Sequence, residues 1–375
     1  MNPARLEPTS PSSGTRDGAA APAGYTSLKD ELPPASIAGR VLANRYLPET
    51  LLDEGAFSVR YCGDDMAVQE TVCLEFLPRR AIGSWSKIRQ AVARLAALGD
   101  PNIVEVVGRG MAGGAWPYLV TEYGKHGSLR DALASGPLEL QRVVRLGSQC
   151  AGALAAAHGA GVLHGALALD RIVTTGTGLL ESAKVSGFGL ASLIEASPDA
   201  LLSSSHELFP YSSPELADGK RIDARSDIYS LGAILYELCV GAPPFTGNAI
   251  SVLRQHLRQV PEPPSRRRGS SELSFRAFDK IVGRCLAKQP EQRYPNAAEL
   301  AADLGRLDAA LVRARAAAAV LPRVAANESG APPPSGPHAS RRRERASSVE
   351  LRPAHRPPQK SVIAAKLPKV IVREG

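Results

Sequence analysis

Apolar and polar positions alternate with a strand-like period in the first third of the chain, and the period becomes helical from Ser128 onward. Strands are predicted at 46–52, 57–62, 71–77, 103–109 and 118–122, and one helix is predicted among them at 86–98. Further helices are predicted at 140–159, 226–240, 274–286 and 296–311. The pattern therefore indicates a small strand-rich segment followed by a larger helical one.

Both ends of the chain lack a sustained apolar period. Residues 1–36 are rich in Pro, Ser, Gly and Ala, and residues 323–375 are rich in Arg and Pro. Such compositions cannot bury enough apolar surface to offset the entropy of ordering a chain. We therefore predict a disordered arm at 1–36, a folded part between the two ends, and a disordered basic tail at 323–375.

Most of the net charge lies in that tail. The whole chain carries +8, and from Arg323 onward eleven Lys and Arg residues face four Asp and Glu residues, which gives +7. The folded part is then nearly neutral, which argues against a nucleic-acid groove within it. A solvated arm is the favoured interpretation of the tail, and a tether to nucleic acid or to anionic lipid is the alternative.

The cysteines and the apolar runs indicate a cytoplasmic protein. The five cysteines include no CxxC pair of the metal-binding kind. Most lie within apolar periods, as reduced core thiols do. No secretory signal and no stretch of about 18 apolar residues is visible. We predict no metal site and no integral membrane span.

Four segments occur in an order and spacing that carry a family resemblance. Residues 211–215 read Tyr-Ser-Ser-Pro-Glu, and residues 226–232 read Ser-Asp-Ile-Tyr-Ser-Leu-Gly. Residues 241–245 read Gly-Ala-Pro-Pro-Phe, and residues 285–294 end in Gln-Arg-Tyr. Together they resemble the bacterial, eukaryotic-like Ser/Thr protein kinase family. The resemblance implies an α+β, two-lobe protein-kinase fold.

That resemblance also assigns lobe boundaries and structural roles. It implies an N-lobe at 40–124 and a C-lobe at 125–312. Glu215 is expected to pair with Arg293, so that replacing Glu215 would destabilise the domain by a few kcal/mol. Two further structural expectations concern a carboxylate bonded to backbone and a stack that aligns the lobes. They involve Asp227 near the backbone of His164, and His164 with Phe188 in the stack.

The positions that carry chemistry in this family hold other residues. By resemblance, Glu75 stands at the lysine of the third strand, Ala166 at the catalytic base, Ala168 at the lysine of the catalytic loop, and Arg171 and Gly187 at the metal ligands. Phosphoryl transfer depends on positioning and on positive charge around the γ-phosphate. We therefore predict a pseudokinase that is not an enzyme, uses no cofactor, and binds Mg-ATP weakly or not at all. Replacing Glu75 by alanine is then expected to cost little stability.

A vestigial nucleotide pocket is also implied by the resemblance. Its expected residues are Gly55, Val59, Cys73, Thr121, Tyr123 and Val173. The alternative is that these are ordinary core residues. Arg171 could contact a phosphate directly without a metal, or it could pair with Asp170, Glu75 or solvent.

The predicted function is a non-catalytic signalling scaffold or regulator that works through protein–protein binding. The alternatives are a divergent active Ser/Thr kinase with residual ATP binding, and a tether acting through the tail. One expected partner is an active Ser/Thr kinase that phosphorylates this chain. Ser347 and Ser348 are candidate phosphosites, because the arginines at 341–345 precede them as basophilic kinases require.

Overall fold

The computed structural model describes residues 32–55, 58–190, 193 and 208–328, with the side chains of 319–328 excepted. Most of both predicted disordered ends, and with them Ser347 and Ser348, lie outside the described residues. The chain divides into two compact units, Met1–Pro322 and Arg323–Gly375. Apart from the end of the last helix, the fold described below belongs to the first unit.

A five-stranded antiparallel sheet forms the first part of the fold, here named the sheet lobe. Its strands are β1 (Tyr46–Glu54), β2 (Val59–Asp65), β3 (Glu70–Phe76), β4 (Val106–Ala112) and β5 (Trp116–Glu122). Their spatial order is β1-β2-β3-β5-β4. β4 begins three residues later than predicted, because Ile103 bridges to Val185 and the Val104 N–H donates to the Val185 carbonyl instead.

One helix, α1 (Ala81–Ala96), follows β3 and buries Ile88, Val92 and Leu95. It starts five residues before the predicted start. Gly83 and Ser84 in its first turn are poor helix formers, so the sequence pattern did not reveal that turn. In the folded protein, Ala81 and Ser84 of this first turn are buried.

The sheet has two faces with different functions. Paired residues of neighbouring strands project to the same face, and alternate residues of one strand project to opposite faces. On the outer face, Phe76 packs against Tyr61 and Tyr118 with ring centroids 5.8 Å apart in each pair. The other face carries Arg60 opposite Glu75 and looks toward the helical part.

The second part of the fold, here named the helical lobe, begins at residue 129. Its elements are α2 (Leu129–Leu133), α3 (Leu140–Gly159), β6 (Ile172–Thr175), β7 (Ser182–Val185), α4 (Pro214–Ala217), α5 (Ala224–Val240), α6 (Ala249–Arg258), α7 (Pro264–Arg267), α8 (Leu273–Cys285) and α9 (Ala297–Glu328). α3 has the predicted bounds, because its apolar period continues from the first residue to the last.

α5 is the central helix of this lobe and is buried along nearly its whole length. It packs against α3 and α8 at two glycines. A methyl group at Gly147 of α3 would lie 2.5 Å from Leu235 Cδ2, and one at Gly232 would lie 2.4 Å from Cys285 Cβ. The absence of a side chain at these two positions therefore lets the three helices approach closely.

The last helix, α9, continues beyond the predicted end of the folded part at 312 and the predicted start of the tail at 323. The segment after Arg313 is rich in alanine, the residue with the highest intrinsic helix propensity. Among the helices of the described residues, none combines the length and the apolar character needed to cross a membrane.

Stability should depend on pH through His256, which is fully buried beside Phe245 and bonded through Nδ1 to the Tyr229 hydroxyl at 2.9 Å. Burial and then the charge of Lys288 lower the pKa of His256 to about 3. The unfolded histidine binds a proton below about pH 6.5 and the folded one does not. We expect this histidine to reduce the free energy of unfolding by about 1.4 kcal/mol per pH unit as the pH falls from 6.5 toward 3.

Urea titrations between pH 7 and pH 5 test this expectation. The His256→Gln variant should show a shallower pH dependence than the parent protein, since it lacks the shifted group. Equal slopes for the two proteins would contradict the assignment.

Candidate functional site

The candidate site is the cleft between the inner face of the sheet lobe and residues 164–171 and 186–188 of the helical lobe. Two arginines cross this cleft in opposite directions. Arg171 reaches up from the helical lobe, and Arg60 reaches down from β2. Arg171 binds side chains of the sheet lobe, and Arg60 binds one side chain of the sheet lobe and one backbone carbonyl of the helical lobe.

Arg171 ends a short 3-10 turn, Leu169–Arg171. Its guanidinium forms an ion pair with the Glu75 carboxylate and donates a hydrogen bond to Ser58 Oγ at 2.8 Å. The Ser58 hydroxyl donates to Glu75 Oε1 at 2.6 Å. Glu75 is 4% exposed and Arg171 is 8% exposed. We name this closed, charge-balanced group the Glu75–Arg171 bridge.

The Glu75 carboxyl is ionised at neutral pH. Burial opposes its ionisation, but the Arg171 and Arg60 guanidiniums and the Ser58 hydrogen bond outweigh burial and lower its pKa. Of the partners considered for Arg171 from sequence, Glu75 is the one observed. Replacing Glu75 would leave a buried guanidinium without a counter-charge, so we now expect the replacement to cost stability rather than little.

Arg60 forms the second connection, named here the Arg60 bridge. Its Nε donates to Asp53 Oδ1 at 3.0 Å, and its other nitrogens form an ion pair with Asp53 and donate to the Asp170 carbonyl oxygen at 3.0 Å. Asp53 and Arg60 belong to paired strands, β1 and β2. We call the inner face of the sheet lobe the roof of the cleft. The Arg60 bridge joins this roof to the backbone just before Arg171.

The nucleotide pocket implied by the resemblance includes Val59 and does not include Arg60. Val59 is opposite Phe76 in the β2–β3 register and lies on the outer face, where it is buried in the aromatic cluster. Arg60 is opposite Glu75 on the inner face. A shift of one residue along a strand exchanges the two faces. The side chain of β2 that faces the cleft at this point is therefore the cation Arg60 and not Val59.

The other predicted pocket residues of the roof are present on the inner face. The Cys73 thiol shares a hydrogen bond with Thr121, which is opposite it on β5. The Cys62 thiol shares one with Tyr123, in the segment that connects the lobes. Burial raises the pKa of both thiols, and that of Cys73 reaches about 12. Both are therefore neutral thiols at pH 7.

The front edge and the floor of the cleft contain the remaining predicted residues. The Gly55 N–H donates to the Ser58 carbonyl at 2.9 Å and closes the turn between β1 and β2. Val173 packs against the connecting segment so closely that a methyl group at Gly124 would lie 2.8 Å from Val173 Cβ. Behind Thr121, a cavity of about 300 Å³ opens toward α1.

The floor is fixed by a buried carboxylate. Asp227 accepts hydrogen bonds from the backbone N–H groups of His164 at 2.9 Å and of Gly165 at 2.8 Å, and it contacts His158 Nε2 at 2.8 Å. The His164 and Phe188 rings lie 4.9 Å apart. The expected arrangement of Asp227, His164 and Phe188 is thus the one that is observed.

Three small residues stand where the family resemblance places chemistry. Ala166 and Ala168 are buried in apolar clusters of the core. Gly187 has φ +82° and lies beneath Arg171, where an added Cβ would be 3.1 Å from Arg171 Cδ. A larger residue at 187 would therefore press on the Glu75–Arg171 bridge.

An ion pair far from the cleft holds the helical lobe together. Glu215 accepts from both terminal nitrogens of Arg293, at 2.7 and 2.8 Å. The Arg293 side chain is 0% exposed and also donates to the carbonyl oxygens of Ala287, Lys288 and Arg225. This is the pair that the sequence predicted.

The cleft contains cationic side chains that can donate hydrogen bonds to phosphate. Mg²⁺ is held by carboxylates together with phosphate oxygens. In the described residues, no group of three His, Cys, Asp or Glu side chains could hold a metal ion, and the buried carboxylate of Glu75 is paired with Arg171. Arg171 and Arg60, by contrast, are donors that match the geometry of phosphate oxygens.

Comparison with known proteins identifies relatives. The protein kinase domain family matches residues 46–303. Serine/threonine-protein kinase PknB of Mycobacterium tuberculosis is 35% identical over 276 residues, which are 71% of this chain and 43% of the relative. Serine/threonine-protein kinase pkn3 of Myxococcus xanthus is 32% identical over 283 residues, which are 72% of this chain and 51% of that protein. The chain thus spans about half or less of these relatives.

The fold has a solved counterpart. The PknI kinase domain of Mycobacterium tuberculosis superimposes with a TM-score of 0.55 at 22% identity, over 72% of this chain and 98% of that domain. The predicted two-lobe kinase fold is therefore confirmed. At this identity the likeness concerns the fold alone.

Two predictions are contradicted by these comparisons. Proteins named serine/threonine-protein kinases, 35% identical over 71% of the chain, point to a kinase enzyme, so the prediction of a non-enzyme is wrong. Ser/Thr kinases normally use Mg-ATP, so the prediction of no cofactor is wrong as well. Both predictions took the residues at the family's catalytic positions as sufficient evidence.

Proposed function

Because the chain belongs to the bacterial Ser/Thr protein kinase family, we propose that it is a nucleotide-responsive regulator of protein phosphorylation that works through protein–protein binding. The Glu75–Arg171 bridge is the observation that carries the proposal. It closes the cleft with a cation whose only acidic partner among the described side chains is Glu75. Competition for that cation would couple nucleotide binding to the arrangement of the lobes.

The competition rests on charge. A phosphate group offers more negative charge and more acceptor oxygens than one carboxylate does. When the phosphates of ATP reach Arg171, they replace Glu75 as its partner and open the Glu75–Arg171 bridge. The two lobes then lose one of the contacts that hold them together and can move relative to each other. A protein partner that binds across both lobes would bind the two arrangements with different affinity.

The proposal assigns a role to each of these residues in the cleft. Arg171 and Ser58 bind phosphate, while Cys73 and Val173 line the slot for the base. Glu75 acts as the internal competitor. Ala166, Ala168 and Gly187 stand where the resemblance places the base and other catalytic groups.

A thermal-shift titration with ATP tests the proposal. We expect ATP to raise the melting temperature, since a ligand at 100 times its Kd adds about 2.7 kcal/mol of stability. The shift should persist in EDTA, because Arg171 supplies the positive charge. It should disappear in Arg171→Gln and remain in Arg142→Gln, whose arginine pairs with Glu181 away from the cleft. No shift in the parent protein, or an equal shift in both variants, would refute the proposal.

Phosphotransfer from ATP to protein Ser or Thr is a second candidate function. The relatives named serine/threonine-protein kinases favour it. The test is transfer of label from γ-labelled ATP to a generic basic protein in the presence of Mg²⁺, with Arg171→Gln as the comparison. Transfer that depends on Arg171 would establish the second candidate, and ATP binding without transfer would leave the regulator.

Phosphorylation of this chain by an active Ser/Thr kinase remains part of the proposal. Each phosphate would add about −1.5 to −2 charge beside the basic run at 341–345. Mass spectrometry of the protein from its native host should find phosphate on Ser347 or Ser348. Unmodified serines across growth conditions would remove this part. A cytoplasmic location stays a prediction from the sequence.

A further inference from the structure

Two cysteines face each other across neighbouring strands in the roof of the cleft. Cys62 of β2 is directly opposite Cys73 of β3, and both thiols are free and partly exposed. Because paired residues share a face, both side chains project from the inner face of the sheet.

The hydrogen bonding of β3 shows which kind of pair this is. The Leu77 N–H donates to the Pro117 carbonyl at 2.8 Å, so the peptide groups of Leu77 point toward the β5 side. Alternate residues of a strand point to the same side, and Cys73 is four residues away. Its peptide groups therefore face β5, and Cys62–Cys73 is a non-hydrogen-bonded pair of the β2–β3 ladder.

Non-hydrogen-bonded pairs bring the backbones closest together. Their Cα atoms are about 4.5 Å apart, and disulfides span Cα separations of about 4.4–6.8 Å. A pair of this kind therefore has a typical backbone separation within the range that a disulfide needs.

We propose that Cys62 and Cys73 are a reversible disulfide site that joins β2 to β3 in the roof of the cleft. In the reduced protein the thiols are bonded elsewhere, Cys62 to Tyr123 and Cys73 to Thr121. Forming the disulfide breaks both contacts. Oxidation therefore removes the Cys62 contact with the segment that connects the lobes, and reduction restores it.

The oxidant is a low-molecular-weight disulfide such as glutathione disulfide. The Cys62 thiolate attacks one of its sulfurs, forms a mixed disulfide and releases one glutathione thiolate. The Cys73 thiolate then attacks the Cys62 sulfur and releases the second glutathione. The protein loses two hydrogens in total, and the reagent gains them as two thiols. Burial raises the pKa of both cysteines, so we expect the rate to increase as the pH is raised above neutral.

Peptide mapping tests the proposal on the full chain. Trypsin cleaves after Arg60 and Arg79, and the peptide at 61–79 contains Cys62 and Cys73 but no other cysteine. After treatment with glutathione disulfide and alkylation, we expect this peptide to carry no alkyl group. Its mass should be two hydrogens less than that of the same peptide with two free thiols. Dithiothreitol should restore two alkylatable thiols.

Matched variants complete the experiment. Cys73→Ser should stop at the mixed disulfide and keep glutathione on Cys62. Cys239→Ser, which removes a buried cysteine of α5, should still form the disulfide. The proposal is overturned if the parent peptide keeps both thiols alkylatable, or if glutathione persists on Cys62 of the parent protein.

Discussion

Replacing Glu215 by alanine lowers the free energy of unfolding by about 3–5 kcal/mol, the range found when one partner of a buried ion pair is removed. The reason is the environment of Arg293. Its side chain is wholly buried, and three backbone carbonyls hold it in place. Without Glu215, its charge remains buried and without an acidic partner.

Urea denaturation of parent and variant measures this loss. Glu262→Ala is the matched control, since Glu262 pairs with the exposed Arg266 at 3.0 Å. Exposed pairs contribute about 0–1 kcal/mol. If both variants lose the same stability, the ion pair of Glu215 is no more important than a surface contact.

The second large effect concerns the Glu75–Arg171 bridge. Glu75→Ala and Arg171→Ala should each lower the free energy of unfolding by about 3–5 kcal/mol, because each leaves the other charge buried and unpaired. The double variant should cost less than the two single losses together, since it leaves neither charge behind. The expected coupling free energy is within about 0.5–3 kcal/mol.

A double-mutant cycle by chemical denaturation gives that coupling directly. A second cycle on Glu262 and Arg266, an exposed pair in the helical lobe, provides the comparison. Additive losses at Glu75 and Arg171 would mean that the ion pair contributes nothing to stability beyond the two separate side chains.

The sequence predicted the helical lobe well because its signals are local or positional. The apolar period of α3 continues over its whole length, and the pairing of Glu215 with Arg293 is implied by the family resemblance of the motifs that contain them. Neither signal depends on strand pairing. The predicted pair could therefore be found without knowledge of the tertiary structure.

The cleft was harder to predict, because its composition depends on strand register. The face that Arg60 occupies is set by its pairing with Glu75, and a shift of one residue placed Val59 there instead. Burial of Glu75 depends on Arg171, which is far away in sequence. A list of substituted family positions showed that the charges had changed, but it did not show that they neutralise one another.

The two bridges also determine how the cleft between the lobes opens. Arg60 and Arg171 both cross from one lobe to the other, so the lobes cannot swing apart about their connection without breaking both contacts at once. Opening is then a cooperative, sparsely populated event rather than a graded motion. In hydrogen exchange, the amides of β2 and β3 near these contacts should share a single opening free energy with the turn Leu169–Arg171, although the two contacts join residues 110 and 96 positions apart.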